Sequence, residues 1–204
     1  MKVVDLSKGE HKTDEYLKVN PFGQIPAIKE GEFNLNESIS ISRYLLQSRG
    51  SSSDFYPYED AQKLAKINAL IDHDTMTFRS KISPLVYKKV ITPLFLKTPF
   101  PTAEECEQLE TDSHPSFESL KFILSLSGGP YLFGENLTLA DLTHYFVLMG
   151  PVYLADDTTI TKFPEVQEWF QKVEQDPSVA ETLESYKKTC EAIKEIAAKM
   201  KEGQ

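Results

Sequence analysis

Two cysteines in 204 residues, Cys106 and Cys190, stand far apart, and no CxxC pair occurs. That argues against a disulfide framework or a dithiol redox centre and suits thiols kept reduced in a cytoplasmic compartment. Positive charge is also in deficit. Lys and Arg number 22 against 31 Asp and Glu, for a net charge of -9 and a pI near 5.0. With no basic patch visible, neither nucleic acid nor an anionic membrane surface is an expected partner. No apolar run is long enough for a membrane span, and Met1-Lys2-Val3-Val4-Asp5 lacks the apolar region of a signal peptide. His73, His114 and His144 are scattered without ligand spacing, so no metal is expected. Ser125 to Gly129 is glycine-rich, but it follows a helix and lacks the Lys-Ser/Thr of a phosphate loop; it is read as a turn. There is no GxSxG elbow and no internal repeat.

What is present centres on Asn20-Pro21-Phe22-Gly23-Gln24-Ile25-Pro26-Ala27-Ile28. Its first half is turn chemistry and its second a short apolar strand, in which Pro26 stands where a strand needs a backbone NH. A cis Ile25-Pro26 bond accounts for such a proline and aims the NH and C=O of Ile25 outward, ready to pair with an extended peptide-like ligand. Asn36-Glu37-Ser38 then precedes the apolar pattern Ile39, Ile41, Tyr44 and Leu45, which predicts a helix start. Free NH groups there favour a carboxylate, and the Ser38 hydroxyl adds a donor. Together the two stretches predict a site for a small acidic peptide.

In order, Val3 to Leu6 reads as a strand, Ser7 to Lys12 as a loop, and Thr13 as the cap of a short helix reaching about Val19. Strands at Gln24 to Ile28 and Phe33 to Leu35 form a hairpin around Gly31, and a helix runs from Glu37 to about Gln47. This gives a lobe over 1–48, a small polar linker over 49–58 and a helical domain over 59–204. In the latter, Leu64, Ile67, Ile71, Phe78 and Ile82 mark one helix face, with Thr75 its polar member and Pro84 a kink or end. Further helices are read between Leu85 and Leu96, from Ala103 to Leu126, after the Thr138–Asp141 capping box, around Trp169, and from Leu183 to Met200. A tail helix of that length could fold across an interdomain cleft or pack on the far side.

The Asn20–Ile28 motif, the Asn36-Glu37-Ser38-Ile39 helix start and the upstream Gly9-Glu10-His11-Lys12 closely resemble the glutathione-binding half of theta-class glutathione transferases. The resemblance implies an α+β two-domain fold, a thioredoxin-like α/β lobe followed by an all-α domain, built as a homodimer. It implies glutathione as co-substrate, with no other cofactor, and a small hydrophobic electrophile as second substrate in a detoxifying conjugation. Position by position it implies that Ile25, before Pro26, pairs with the backbone of the tripeptide's cysteine. Glu37 and Ser38 hold its γ-glutamyl end, Gln24 lies alongside, and His11 and Lys12 lie near the glycine carboxylate. Arg79 matches a position that faces the glutathione sulfur, and Met76, one turn away, lines the electrophile pocket where the family is often acidic. The family starts with a strand, a helix and a thiol-activating serine ahead of Val3 to Leu6; that segment is expected upstream of Met1, and without it the lobe is incomplete. A non-catalytic binding or scaffold protein of the same shape is the alternative.

Overall fold

The computed structural model describes residues 2–6, 8–50 and 54–202. Ser7 of the expected loop and Ser51 to Ser53 of the expected linker lie outside the described residues, as do Met1, Gly203 and Gln204. The chain divides into two compact units, Met1–Tyr58 and Glu59–Gln204.

The first unit carries one hairpin, β1 (Ala27–Glu30) antiparallel to β2 (Phe33–Asn36), in the register Ala27↔Asn36 to Glu30↔Phe33. Gly31 takes the left-handed conformation that its turn requires, at φ 60°. Helix α1 (Asp14–Leu17) starts where the Thr13 hydroxyl accepts from the Tyr16 NH at 3.3 Å, and α2 (Ser38–Ser48) follows β2. Two expectations need correction. Val3 to Leu6 is not a strand: Val3 is 81% exposed and no described strand lies beside it. An isolated extended segment gains no ladder hydrogen bonds, so β-branched residues alone do not make it a strand. The strand expected from Gln24 starts only at Ala27, because the cis Ile25-Pro26 bond and the missing proline NH break the ladder there.

The second unit is helical throughout. It runs α3 (Ala61–His73), a π-helical turn (Asp74–Phe78), α4 (Arg79–Val86), a second π turn (Tyr87–Ile91), α5 (Thr92–Leu96), α6 (Ala103–Ser127) and α7 (Leu139–Met149). A third π turn (Gly150–Leu154), a 3₁₀ turn (Thr159–Lys162), α8 (Pro164–Glu174) and α9 (Pro177–Glu202) complete it. Each of the long helices contributes buried apolar residues. Ile67, Ile71, Ile82, Leu85, Tyr145, Leu148, Val166 and Val173 are wholly enclosed. Helix α7 is apolar nearly all round because it is buried on most sides. Its Asp141 carboxylate accepts from the NH and hydroxyl of Thr138, the NH of Leu132 and the Trp169 indole at 2.6–3.0 Å. A capping residue thus also ties the preceding turn and α8 to α7. Helix α9 packs Tyr186, Cys190 and Ile193 against Val90 and Leu154. Thr75 is exposed, and the polar member of the α3–α4 stripe is Asp74, fully buried. Pro84 lies inside α4 rather than ending it. Among the described residues no helix is long and apolar enough to cross a membrane.

Candidate functional site

In the first unit a shallow recess of about 400 Å³ is lined by Leu6, His11, Lys12, Gly23, Gln24 and Ile25. Four of the residues expected at the site therefore meet: His11, Lys12, Gln24 and Ile25. The Ile25-Pro26 bond is cis, and Ile25 is about half exposed. Gly23 explains how the wall closes. It holds φ 58°, and a Cβ there would stand 2.8 Å from the His11 carbonyl oxygen and 2.9 Å from Lys12 Nζ. Only glycine permits that approach. Lys12 Nζ donates to the Phe22 carbonyl at 3.3 Å, which holds the ammonium over the loop and leaves further N–H groups for an anion.

Glu37 and Ser38 do not line this recess; both are exposed at the start of α2. Glu37 has φ 66° and ψ 114°, costly for a residue with a Cβ, and its side chain makes no cap. The first NH groups of α2 are consequently uncapped by that residue, and the Ser38 hydroxyl stands beside them. A carboxylate fits such an end because the helix dipole and free donors both favour negative charge.

One residue that the sequence reading passed over joins the two parts. Asn20 is 1% exposed. Its Nδ2 donates to the Gln24 carbonyl at 2.6 Å, and its Oδ1 accepts from the Phe22 NH at 3.1 Å and from Asn36 Nδ2 at 3.0 Å. Tyr16 Oη adds a second donor to the Gln24 carbonyl at 2.7 Å. The amide thus links the proline loop to the end of β2, directly ahead of Glu37. The signal was present as the Asn-Pro turn, which marks a turn without revealing that its amide is buried.

In the second unit, Arg79 lines a separate recess of about 410 Å³ with Thr75, Ser80, Ser83, Pro84, Tyr87 and Lys88. Met76 does not line it and is 77% exposed. Arg79 is not a free cation: its Nη2 lies 3.4 Å from Asp74 Oδ2. The other Asp74 oxygen has no hydrogen-bond partner and lies 4.0 Å from His144 Nε2. Burial pushes the Asp74 carboxyl up to about 6, against the pull of Arg79. Burial likewise pushes His144 down to about 4, although the Ala140 carbonyl at 2.9 Å favours its protonated ring. Among the described residues no group of histidine, cysteine and carboxylate side chains could hold a metal ion.

An α/β lobe built around a cis-proline loop, followed by an all-helical unit, defines a class of two-domain transferase folds. The family models agree: a glutathione S-transferase N-terminal domain matches residues 1–47, and a glutathione S-transferase C-terminal domain matches residues 86–186. The probable glutathione S-transferase GSTF1 of Oryza sativa subsp. japonica is 33% identical over 185 residues, covering 86% of this chain and 80% of its own. Glutathione S-transferase theta-1 of Homo sapiens is 32% identical over 175 residues, covering 85% and 71%. Among solved structures, human glutathione transferase theta-2 in complex with glutathione and an unknown ligand superposes with a TM-score of 0.82 at 28% identity, covering 97% of this chain and 79% of that one. The chain belongs to the glutathione S-transferase family. Theta-class members stand among its relatives and its structural neighbours, as the Asn20–Ile28 motif led one to expect.

Proposed function

We propose that the first unit binds glutathione and that the protein conjugates its thiolate to a small electrophile, a detoxifying reaction carried out in the cytoplasm by a homodimer. The observation that carries this reading is the joining, through Asn20, of the cis-proline loop to the open N-terminus of α2. In it, the NH and C=O of Ile25 pair with the backbone of the tripeptide's cysteine, with Pro26 fixing their direction. Ser38 and the first NH groups of α2 take the γ-glutamyl carboxylate, Glu37 takes the ammonium beside it, and Lys12 and His11 take the glycine carboxylate. Gln24 borders the peptide. A free thiol titrates near 8.5, and only the thiolate attacks electrophiles well. Lowering its pKa by about two units needs about 2.7 kcal/mol of preferential stabilisation, the scale of a hydroxyl donor with a nearby cation. Arg79 is the proposed cation, and Met76 the proposed neighbour of the electrophile. The hydroxyl donor is proposed to be a serine upstream of Met1. The division into a lobe over 1–48, a linker over 49–58 and a helical domain over 59–204 belongs to the same reading.

The second reading, binding without turnover, is favoured by one observation: among the described residues, none that lines the first recess carries a hydroxyl side chain. Titration calorimetry with glutathione, paired with turnover of 1-chloro-2,4-dinitrobenzene, separates the two. Ser38→Ala should weaken glutathione by about 1.5–3 kcal/mol, tenfold or more, without moving Tm. An unchanged dissociation constant in that variant places the site elsewhere. Tight binding with no turnover, also with an upstream strand, helix and serine supplied, selects the second reading.

A further inference from the structure

Asp74 sits between two partners and closes on neither. Its side chain is fully buried. Oδ2 lies 3.4 Å from Arg79 Nη2, long for a hydrogen bond, while Oδ1 has no hydrogen bond and lies 4.0 Å from His144 Nε2. The π turn over Asp74–Phe78 creates this position. In a regular α-helix, residues five apart stand about 140° apart around the axis and do not meet. The wider π turn brings the Arg79 NH onto the Asp74 carbonyl and the two side chains to one side, while Asp74 still reaches α7.

The hydrogen bonds of His144, itself 1% exposed, fix its tautomer. Its Nδ1 lies 2.9 Å from the Ala140 carbonyl, and a carbonyl oxygen only accepts, so Nδ1 carries the hydrogen. The Thr143 hydroxyl donates to the same carbonyl at 2.9 Å and therefore offers Nδ1, 3.5 Å away, no donor. In the neutral ring Nε2 is then a bare acceptor. Facing it is Asp74 Oδ1, a second bare acceptor whenever the carboxyl is ionised. Two lone pairs turned toward each other in a buried site are costly, and one proton between them makes a hydrogen bond of the same contact.

The other charged or titratable groups come from each element packed on the pair. Arg79 opens α4 and His73 closes α3, and both disfavour charge on His144. Asp141, one turn earlier on α7, is taken by Thr138, Leu132 and Trp169. Glu174 of α8 is taken by Tyr145 and by Tyr153 of the third π turn. The Phe78 ring packs against His144 with centroids 4.9 Å apart. A proton added here therefore belongs to Asp74 and His144 as a pair.

We propose that Asp74 and His144 form a pH-operated clasp between the first π turn and α7: protonated, Asp74 donates Oδ1–H to His144 Nε2 and releases Arg79; ionised, it leaves His144 and closes on Arg79. A single proton, taken from water and returned to it, does the switching. This goes beyond the transferase reading above and does not depend on it.

The test is side-chain nitrogen and carbon NMR of the full chain without glutathione, titrated from about pH 7.5 to about pH 5, the range in which a buried acid–histidine pair is read. The His144 ring should keep the Nδ1–H tautomer throughout. Its Nε2 signal should move upfield in one transition that coincides with titration of the Asp74 carboxyl, near pH 6. Over the same transition the Arg79 side-chain N–H groups should exchange about tenfold faster, the loss of one charged hydrogen bond. Arg79→Gln should move the shared midpoint upward, because the ionised carboxyl loses its cation. Asp74→Asn, whose amide can donate to Nε2 at any pH, should abolish the transition and keep Nε2 bonded, which a merely structural aspartate would not do. An Nε2–H tautomer, a carboxyl titration that His144 does not follow, or a His144 transition that survives Asp74→Asn overturns the proposal. If the clasp titrates in a chain that fails to bind glutathione, the transferase reading falls and the clasp stands.

Discussion

The two units solve the same problem with different means. In Glu59–Gln204 each long helix contributes buried apolar residues, and the charges of Asp141, fully buried, and Lys89, partly buried, are satisfied by several partners. In Met1–Tyr58 the buried apolar residues are few, Ile41 and Tyr56 among them, and the loop that matters is held by amide hydrogen bonds around Asn20. A two-stranded hairpin is marginal by itself, so this unit depends on specific polar contacts for its shape. The contrast predicts that stability and recognition are separable: one unit should be weakened without the other.

The largest test of that contrast is a cavity in each unit. Leu148→Ala, in a wholly enclosed site of α7, should cost about 3–5 kcal/mol in denaturant unfolding. Ile41→Ala, in α2, should leave that transition within about 1 kcal/mol while loosening the first unit, seen as faster amide exchange there. Equal losses in the main transition would mean that the two units unfold as one.

Next in size is a pH effect confined to the second unit. Asp74 has a folded pKa raised to about 6, so its ionisation destabilises: stability is greatest below the unfolded value near 3.8 and falls as pH rises through 6. His144 is depressed to about 4, so its stabilising neutrality is present above 6.5 and lost as pH falls. Each amounts to about 3 kcal/mol, and the slopes oppose one another between pH 4 and 6. Asp74→Asn should therefore be more stable than wild type at pH 7, equal to it near pH 3.5, and steeper than it between pH 4 and 6. An unchanged difference across that range would remove the buried carboxyl from the account.

Smaller again is Asn20→Ala, which strands the Phe22 NH and one Asn36 donor and takes one of two donors from the Gln24 carbonyl. It should cost about 1–3 kcal/mol locally and weaken glutathione, with the main unfolding transition unmoved.

The same contrast explains what could be read from the sequence. Caps and periodicity exposed most helices: Thr13, the Thr138–Asp141 box and the apolar positions of α8 mark themselves by local chemistry. The cis bond at Pro26 was legible because a proline without an NH conflicts with a strand. Val3 to Leu6 was misread because strand formation depends on a neighbour that local sequence does not contain. Asp74 escaped because carboxylates are rarely buried and the stripe admitted Thr75 instead. Asn20 escaped for a similar reason: its three hydrogen bonds are made to residues brought beside it only by the folded loop and hairpin.

The most direct measurement is amide hydrogen exchange of the full chain with and without saturating glutathione. Without it, the cores of α7 and α8 should be protected by the full unfolding free energy, and the amides from Val3 to Ile28 should exchange rapidly. With it, protection should rise around His11 and Lys12, from Asn20 to Ile28 and through Glu37 to Ile41, leaving the second unit's core unchanged. Protection that rises only in Glu59–Gln204, or nowhere, would contradict the assignment of glutathione to the first unit.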